Sequence, residues 1–175
     1  MFMVLENKAQ EAQLKAIYKK IKAVYGDIPP QMEFLGSFDV SYVEDFLTSL
    51  KKVLQHPHID LDLFAFVRLF VAFREGYVFC KGFNTQLLLS RGYSQDILDA
   101  VIADIAQVPL DTKHQRLAQK AIKAIYESET FSQEDLDSVY ALGWNQKDVF
   151  DLIAHTGTIL KNGRILNAYM KKPLS

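Results

Sequence analysis

The sequence predicts an all-α fold, and three features carry that expectation. Apolar residues recur three and four positions apart along most of the chain. No segment sustains the apolar–polar alternation of a half-buried strand with strand-type turns around it. The periodic segments are also punctuated by Gly, Pro and short polar side chains at the positions where helices stop and start.

The elements follow in order. Leu14, Ile17, Ile21 and Val24 share one helical face, with Lys15, Lys19, Lys20 and Lys22 mostly on others, which predicts an amphipathic first helix ended by Gly26 and Pro29-Pro30. A short apolar piece spans about Met32 to Phe38. Ser41, with Glu44 three residues on, reads as a capping box for a helix reaching His56 and stopped by Pro57. The stretch from Asp60 to Tyr77 is apolar around most of its circumference, through Leu61, Phe64, Val67, Leu69, Val71 and Ala72, as befits an element covered on several sides. Gly76 weakens its end. A helix from about Cys80 to Arg91 is terminated by Gly92, and Ser94 caps the next, to about Ala106. Beyond Pro109, Thr112 with Gln115 suggests a capping box for a helix to Glu127. Ser132 with Asp135 begins a short helix closed by Gly143, and Asn145 with Asp148 opens a last one to Met170.

Composition narrows the function classes. The 175 residues are 49% apolar and 23% charged, and a chain of that length buries about 70% of its unfolded surface without a disulfide or structural metal. One domain is expected over 1–175, with N-terminal helices in 1–58, a core in 59–106 and C-terminal helices in 107–175. The net charge of −1, with both signs interspersed, lacks the concentrated cationic field that nucleic acid or an anionic membrane requires. Asp62, Arg68, Arg74 and Glu75 interrupt the most apolar stretch, which therefore reads as a buried helix rather than a membrane span. No signal-peptide pattern is seen at the N-terminus, so a cytoplasmic location is the expectation. Cys80 is the sole cysteine, which rules out an intramolecular disulfide and a cysteine-rich zinc site. Among the histidines, His56, His58 and His114 fall beside helix ends and His155 on the last helix. The His56-x-His58 pair has no third ligand in view, and neither metal nor cofactor is expected.

The segment from Arg68 to Asn84, followed by Gly92, Ser94 and Ile97, resembles the core of the alkylhydroperoxidase D-like (carboxymuconolactone decarboxylase-like) family. That family carries a glutamate on a buried helix, then Cys-x-x-Cys-x-x-x-His on the next, then a glycine and a capped helix. Tyr25 to Pro29, Leu142-Gly143-Trp144 with Asp148 and Val149, and Asn162 to Ile165 are similar to further family segments, so about four-fifths of the chain is covered. The resemblance implies a helical bundle around a central buried hairpin, and homo-oligomers, trimers or hexamers. It also implies peroxidase-related, antioxidant thiol chemistry served by a reductant.

Cys80 can stand for either family cysteine. As the first, its partners become Phe83 and Leu87 and the glycine spacing fails. As the second, the first cysteine falls on Tyr77, the histidine on Asn84, the glutamate near Ala65, and Gly92 takes the helix-ending position, so this register is adopted. Tyr77 cannot resolve an oxidised sulfur, and Asn84 orients without titrating. At most a one-cysteine oxidoreductase remains, in which Cys80 is oxidised and an external thiol restores it. A helix start and Lys81 favour a reactive thiolate at Cys80, whereas Val78 and Phe79 favour burial as an inert thiol. Glu75 is a candidate base by proximity alone. Phe70, Phe73, Tyr77, Phe79 and Phe83 gather aromatic surface there, either as packing or as the wall of a pocket with Asn84 and Tyr77 as polar handles. Two other readings stand beside the redox one: a non-catalytic binding or scaffolding descendant of the fold, and a decarboxylase or lyase, for which no acid–base constellation is visible.

Overall fold

In a computed structural model, residues 7–170 are described, apart from the side chains of Val24 and Tyr25. The described residues form nine α-helices and no strand: α1 Glu11–Tyr25, α2 Pro30–Phe38, α3 Val40–Leu54, α4 Leu61–Arg74, α5 Val78–Ser90, α6 Gln95–Ala103, α7 Thr112–Tyr126, α8 Gln133–Tyr140 and α9 Gln146–Tyr169. The all-α expectation holds. Val24, one of the residues assigned to the first helix's apolar face, lies outside the described side chains.

The described residues form two compact units, one of residues 7–55 with 166–170, the other His56–Ile165. In the first, α1, α2 and α3 meet around Ile21, Met32 and Val43, with Ile17, Leu35 and Phe46 packed against them. Gly36 lets α2 approach α1, since a Cβ there would stand 2.3 Å from the Tyr18 hydroxyl. Helix α3 is capped by Asp39, whose carboxylate accepts the Ser41 N–H at 2.8 Å, and not by Ser41 as the sequence pattern suggested. A carboxylate is the stronger acceptor for an orphan N–H, and its charge suits the positive end of the helix. Asp111 displaces Thr112 at the start of α7 for the same reason, accepting the His114 N–H at 2.9 Å.

The second unit is organised by the α4–α5 hairpin. Leu63, Phe64, Ala65, Phe66, Val67, Leu69, Val71 and Ala72 are all buried, so α4 is the covered element the apolar run foretold, though it ends at Arg74, three residues early. Gly76, with φ of 68°, makes the turn. The Tyr77 N–H reaches back to the Ala72 carbonyl at 2.8 Å and the Gly76 N–H to Phe73, a left-handed C-terminal cap open to glycine without strain. Helix α5 therefore begins at Val78, two residues earlier than predicted, and places Cys80 in its first turn. The far end of the hairpin is pinned by Asp62, which receives the Tyr93 hydroxyl at 2.7 Å and pairs with Arg91. Asn145 caps α9 through the Asp148 N–H, and the Ser132–Asp135 box opens α8, both as expected.

Candidate functional site

Cys80, Tyr77 and Asn84, all singled out in the sequence, come together where α5 leaves the hairpin turn. Asn84 sits one turn after Cys80 and is fully buried. Its Nδ2 donates to the Cys80 carbonyl at 2.8 Å, and its Oδ1 accepts from Arg68 Nε, also at 2.8 Å. Arg68 belongs to α4, one turn beyond Ala65. The sequence had shown it only as an interruption of an apolar run. The signal was there nonetheless, because a guanidinium inside the most buried helix needs a partner across the packing interface.

Electrostatics at the sulfur favours the thiol over the thiolate. Burial is the largest influence and pushes the Cys80 thiol up to about 11; the Arg68 charge and a hydrogen bond from Tyr77 oppose it without overcoming it. The activating effect expected of a helix start is therefore outweighed, and Lys81, expected to help, instead places its ammonium 4.8 Å from the centre of the Phe73 ring. Tyr77 is buried, and desolvation, then its interaction with Cys80, holds its phenol well above the usual range. Helix α9 closes over it at Gly163, where a Cβ would lie 3.3 Å from the Tyr77 ring.

Glu75, the candidate base, joins three elements. Its Oε1 accepts from the Tyr126 hydroxyl at 2.9 Å and its Oε2 from Arg164 Nε at 3.0 Å, while Arg74 lies over the Tyr126 ring at 4.1 Å. Burial works to raise its carboxyl, but the Arg164 and Tyr126 bonds and the Arg164 and Arg74 charges outweigh it and hold the group below the usual carboxylate range. The arrangement suits an anchor of α7 and α9 to the end of α4.

The histidines separate. His155 lies against Phe64, with ring centres 5.0 Å apart and nearly perpendicular, and its Nε2 is buried without a hydrogen-bond partner. Desolvation, assisted by the Arg68 charge, pulls its imidazole down to about 3, so the ring is neutral at physiological pH. His56 accepts the Ile59 and His58 N–H groups on Nδ1, at 3.0 and 3.3 Å, which leaves its ring proton on Nε2, 3.3 Å from Asp151 Oδ2. His58 Nδ1 lies 3.0 Å from Asp148 Oδ1. The His56 ring therefore has no lone pair directed at these carboxylates with which to ligate a cation. Among the described residues no group of three or more His, Cys, Asp or Glu is arranged to hold a metal ion. His114 pairs with its own cap, Asp111, and stacks edge-on against Trp144. The aromatic group divides: Phe70 and Tyr77 are buried, whereas Phe73 and Phe83 are 37% and 49% exposed. Among the described residues, no helix is long and apolar enough to cross a membrane.

Among solved structures, this architecture is similar to an uncharacterized peroxidase-related protein from Ralstonia eutropha JMP134, described as an alkylhydroperoxidase D core. The TM-score is 0.78 at 12% identity over 98% of this chain and 92% of that one. The chain has the alkylhydroperoxidase D fold. A peroxidase-related protein from Silicibacter sp. TM1040 aligns with TM-score 0.78 at 14% identity, over 94% of this chain and 86% of that one. A cysteine-to-alanine variant of the debrominase Bmp8, in complex with 2,3,4-tribromopyrrole, aligns with TM-score 0.70 at 12% identity, over 99% and 92% of the two chains. No protein-family model and no curated protein sequence matches the chain. In this chain Ala65 lies on α4, Cys80 and Asn84 on α5, and Tyr77 in the turn between them.

Proposed function

We propose that the chain is a peroxidase-related protein of the alkylhydroperoxidase D type in which Cys80 is the sole redox residue and turns over slowly with an external thiol. The observation that carries this reading is the setting of Cys80: first turn of α5, a phenol hydrogen bond from Tyr77, and the Arg68 cation across the hairpin. In the proposed reaction the Cys80 thiolate attacks the outer oxygen of an organic hydroperoxide. The O–O bond breaks, the sulfur becomes a sulfenic acid, and the alkoxide takes up the proton released by the thiol. One external thiol condenses with the sulfenic acid to give a mixed disulfide and water. A second displaces Cys80 and leaves as the external disulfide. Tyr77 and Asn84 position the sulfur and the first turn of α5, and neither resolves nor titrates in the cycle.

A cytoplasmic setting suits this chemistry, because thiols there are kept reduced. Self-association into a homo-oligomer is supported by the apolar face that α5 and the end of α4 leave open, where Val78 is 58% exposed and Phe83 and Phe73 also reach solvent.

A second reading is a binding module for a small aromatic or halogenated compound. It is supported by the partly exposed Phe73 and Phe83 beside the hairpin turn and by the tribromopyrrole held by the debrominase neighbour. The lyase reading has less support, since the carboxylate near the site, Glu75, is engaged with Tyr126 and Arg164. The deciding experiment follows hydroperoxide consumption with an external thiol in wild type and Cys80→Ser. Loss of at least nine-tenths of the rate is expected, and an unchanged rate would remove Cys80 from the reaction.

A further inference from the structure

Taking the redox reading of Cys80 as its basis, we infer that Arg68 is the positioning residue of the site: a fixed cation, held by Asn84, that favours the Cys80 thiolate where histidine and glutamate would otherwise serve. Three observations converge. Arg68 comes from α4 and Cys80 from α5, and the Arg68 charge bears on the sulfur across the hairpin rather than along one helix. Asn84 fixes the geometry at both ends, accepting from Arg68 Nε and donating to the Cys80 carbonyl, each at 2.8 Å. The only other position in the adopted register where an acid or base would be expected, Ala65, carries an inert methyl group and is buried.

The groups that bear on the sulfur are Arg68 from α4 and Tyr77 from the turn, with the neutral His155 of α9 next to Arg68 and Lys81 drawn to Phe73. Arg68 is the cation among them. A guanidinium keeps its charge at every pH at which the protein is folded, so it biases the thiol without titrating itself. A histidine base would impose an activity limb near neutrality, and this arrangement would not. The pH dependence of Cys80 reactivity should therefore follow the thiol alone, as a single rise.

Because Cys80 is the sole cysteine, alkylation of the intact chain, read by mass from pH 6 to 11, reports that thiol directly. Arg68→Gln is the informative variant. Its amide nitrogen stands at the same bond count from the backbone as Arg Nε, so a donor to Asn84 is retained while the charge is removed. An opposite charge at close range typically moves a pKa by one to three units, so Arg68→Gln should alkylate about tenfold more slowly at each pH below the midpoint. Arg68→Lys, which keeps the charge, should stay within about threefold of wild type. A far-ultraviolet spectrum and thermal melt of each variant show that it is folded. An Arg68→Gln profile superimposable on wild type would overturn the inference, as would an Arg68→Lys profile as slow as Arg68→Gln. The redox reading fails separately: if hydroperoxide consumption survives Cys80→Ser while Arg68→Gln still slows alkylation, Arg68 tunes a thiol that the reaction does not use.

Discussion

Replacing Asn84 by alanine should cost more stability than the loss of a three-atom polar side chain normally does. Asn84 is fully buried and makes two directed bonds, one to a charged donor. Losing the acceptor for Arg68 Nε removes a charge-assisted bond, about 1.5 to 3 kcal/mol, and losing the donor to the Cys80 carbonyl adds about 0.5 to 1 kcal/mol, since that oxygen keeps its helical partner. The better helix propensity of alanine returns about 0.5 kcal/mol. The net cost is about 1.5 to 3.5 kcal/mol, equivalent to a fall in Tm of about 3 to 14 °C for a chain of this size. Urea denaturation gives the free energy directly. A cycle with Arg68→Met then isolates the pair, with an expected coupling of at least 1 kcal/mol. A loss below about 1 kcal/mol for Asn84→Ala, or a coupling of zero, would refute the claim that Asn84 holds Arg68.

Other consequences are open to equally direct tests. Gly36→Ala would place a Cβ 2.3 Å from the Tyr18 hydroxyl and 2.8 Å from Leu14 Cδ2, forcing Tyr18 off the Met32 carbonyl it meets at 3.3 Å. Despite a helix-propensity gain of up to about 1 kcal/mol, a net loss of about 1 to 2 kcal/mol in a urea titration is expected. Glu75→Gln keeps an acceptor for Tyr126 but loses the charge paired with Arg164, and should cost about 1 kcal/mol. Because the Glu75 carboxyl is held below its usual range, its contribution is present above the ordinary carboxylate value. It is lost as pH falls through the lowered value, so wild type and Glu75→Gln should converge in strong acid. His155 gives a dependence at milder pH. Its imidazole is pulled down to about 3, so between about 6.5 and 3 the unfolded chain binds a proton that the folded one refuses. Stability should fall by up to about 1.4 kcal/mol per unit of acidification in that window, and His155→Leu should flatten the slope.

The fold was legible in the sequence because its signals are local and redundant. The apolar run at 61–72 can satisfy itself only by being covered, and Gly76, Gly92 and Gly143 stop helices at left-handed positions, with φ of 68°, 94° and 85°. The missed caps have a common cause. Asp39 and Asp111 each lie just ahead of a Ser or Thr that satisfies the capping-box pattern, and pattern alone does not register that the carboxylate is the better acceptor. The site was half legible. Tyr77, Cys80 and Asn84 lie close enough in sequence to be read together, but Arg68 meets Asn84 sixteen residues away across a hairpin, and the partners of Glu75 are 51 and 89 residues distant. Proximity in sequence made Glu75 look like a base. Long-range pairing engages its carboxylate with Tyr126 and Arg164.

The Arg68–Asn84 pair also bears on whether the hairpin is only a scaffold. Arg68 is half-buried, and even partial desolvation of a guanidinium carries a cost that two apolar side chains of similar volume in the α4–α5 interface would avoid. Packing alone therefore gives no reason for a polar pair at this place, one turn from Cys80, when its neighbours on α4, Leu63 to Val67 and Leu69 to Ala72, are apolar and buried. The pair does supply orientation and charge, and both act on Cys80: the first through its carbonyl, the second on its sulfur. A thiol raised to about 11 is ionised to only about one part in ten thousand at neutral pH. A thiol so held resists indiscriminate oxidation, and on the proposed redox reading it would react where a bound substrate, by excluding water beside Arg68, strengthened the cation's hold on the sulfur. On the proposed redox reading, a costly cation and a suppressed free thiolate would share one physical explanation: the charge would take full effect on Cys80 only with substrate bound.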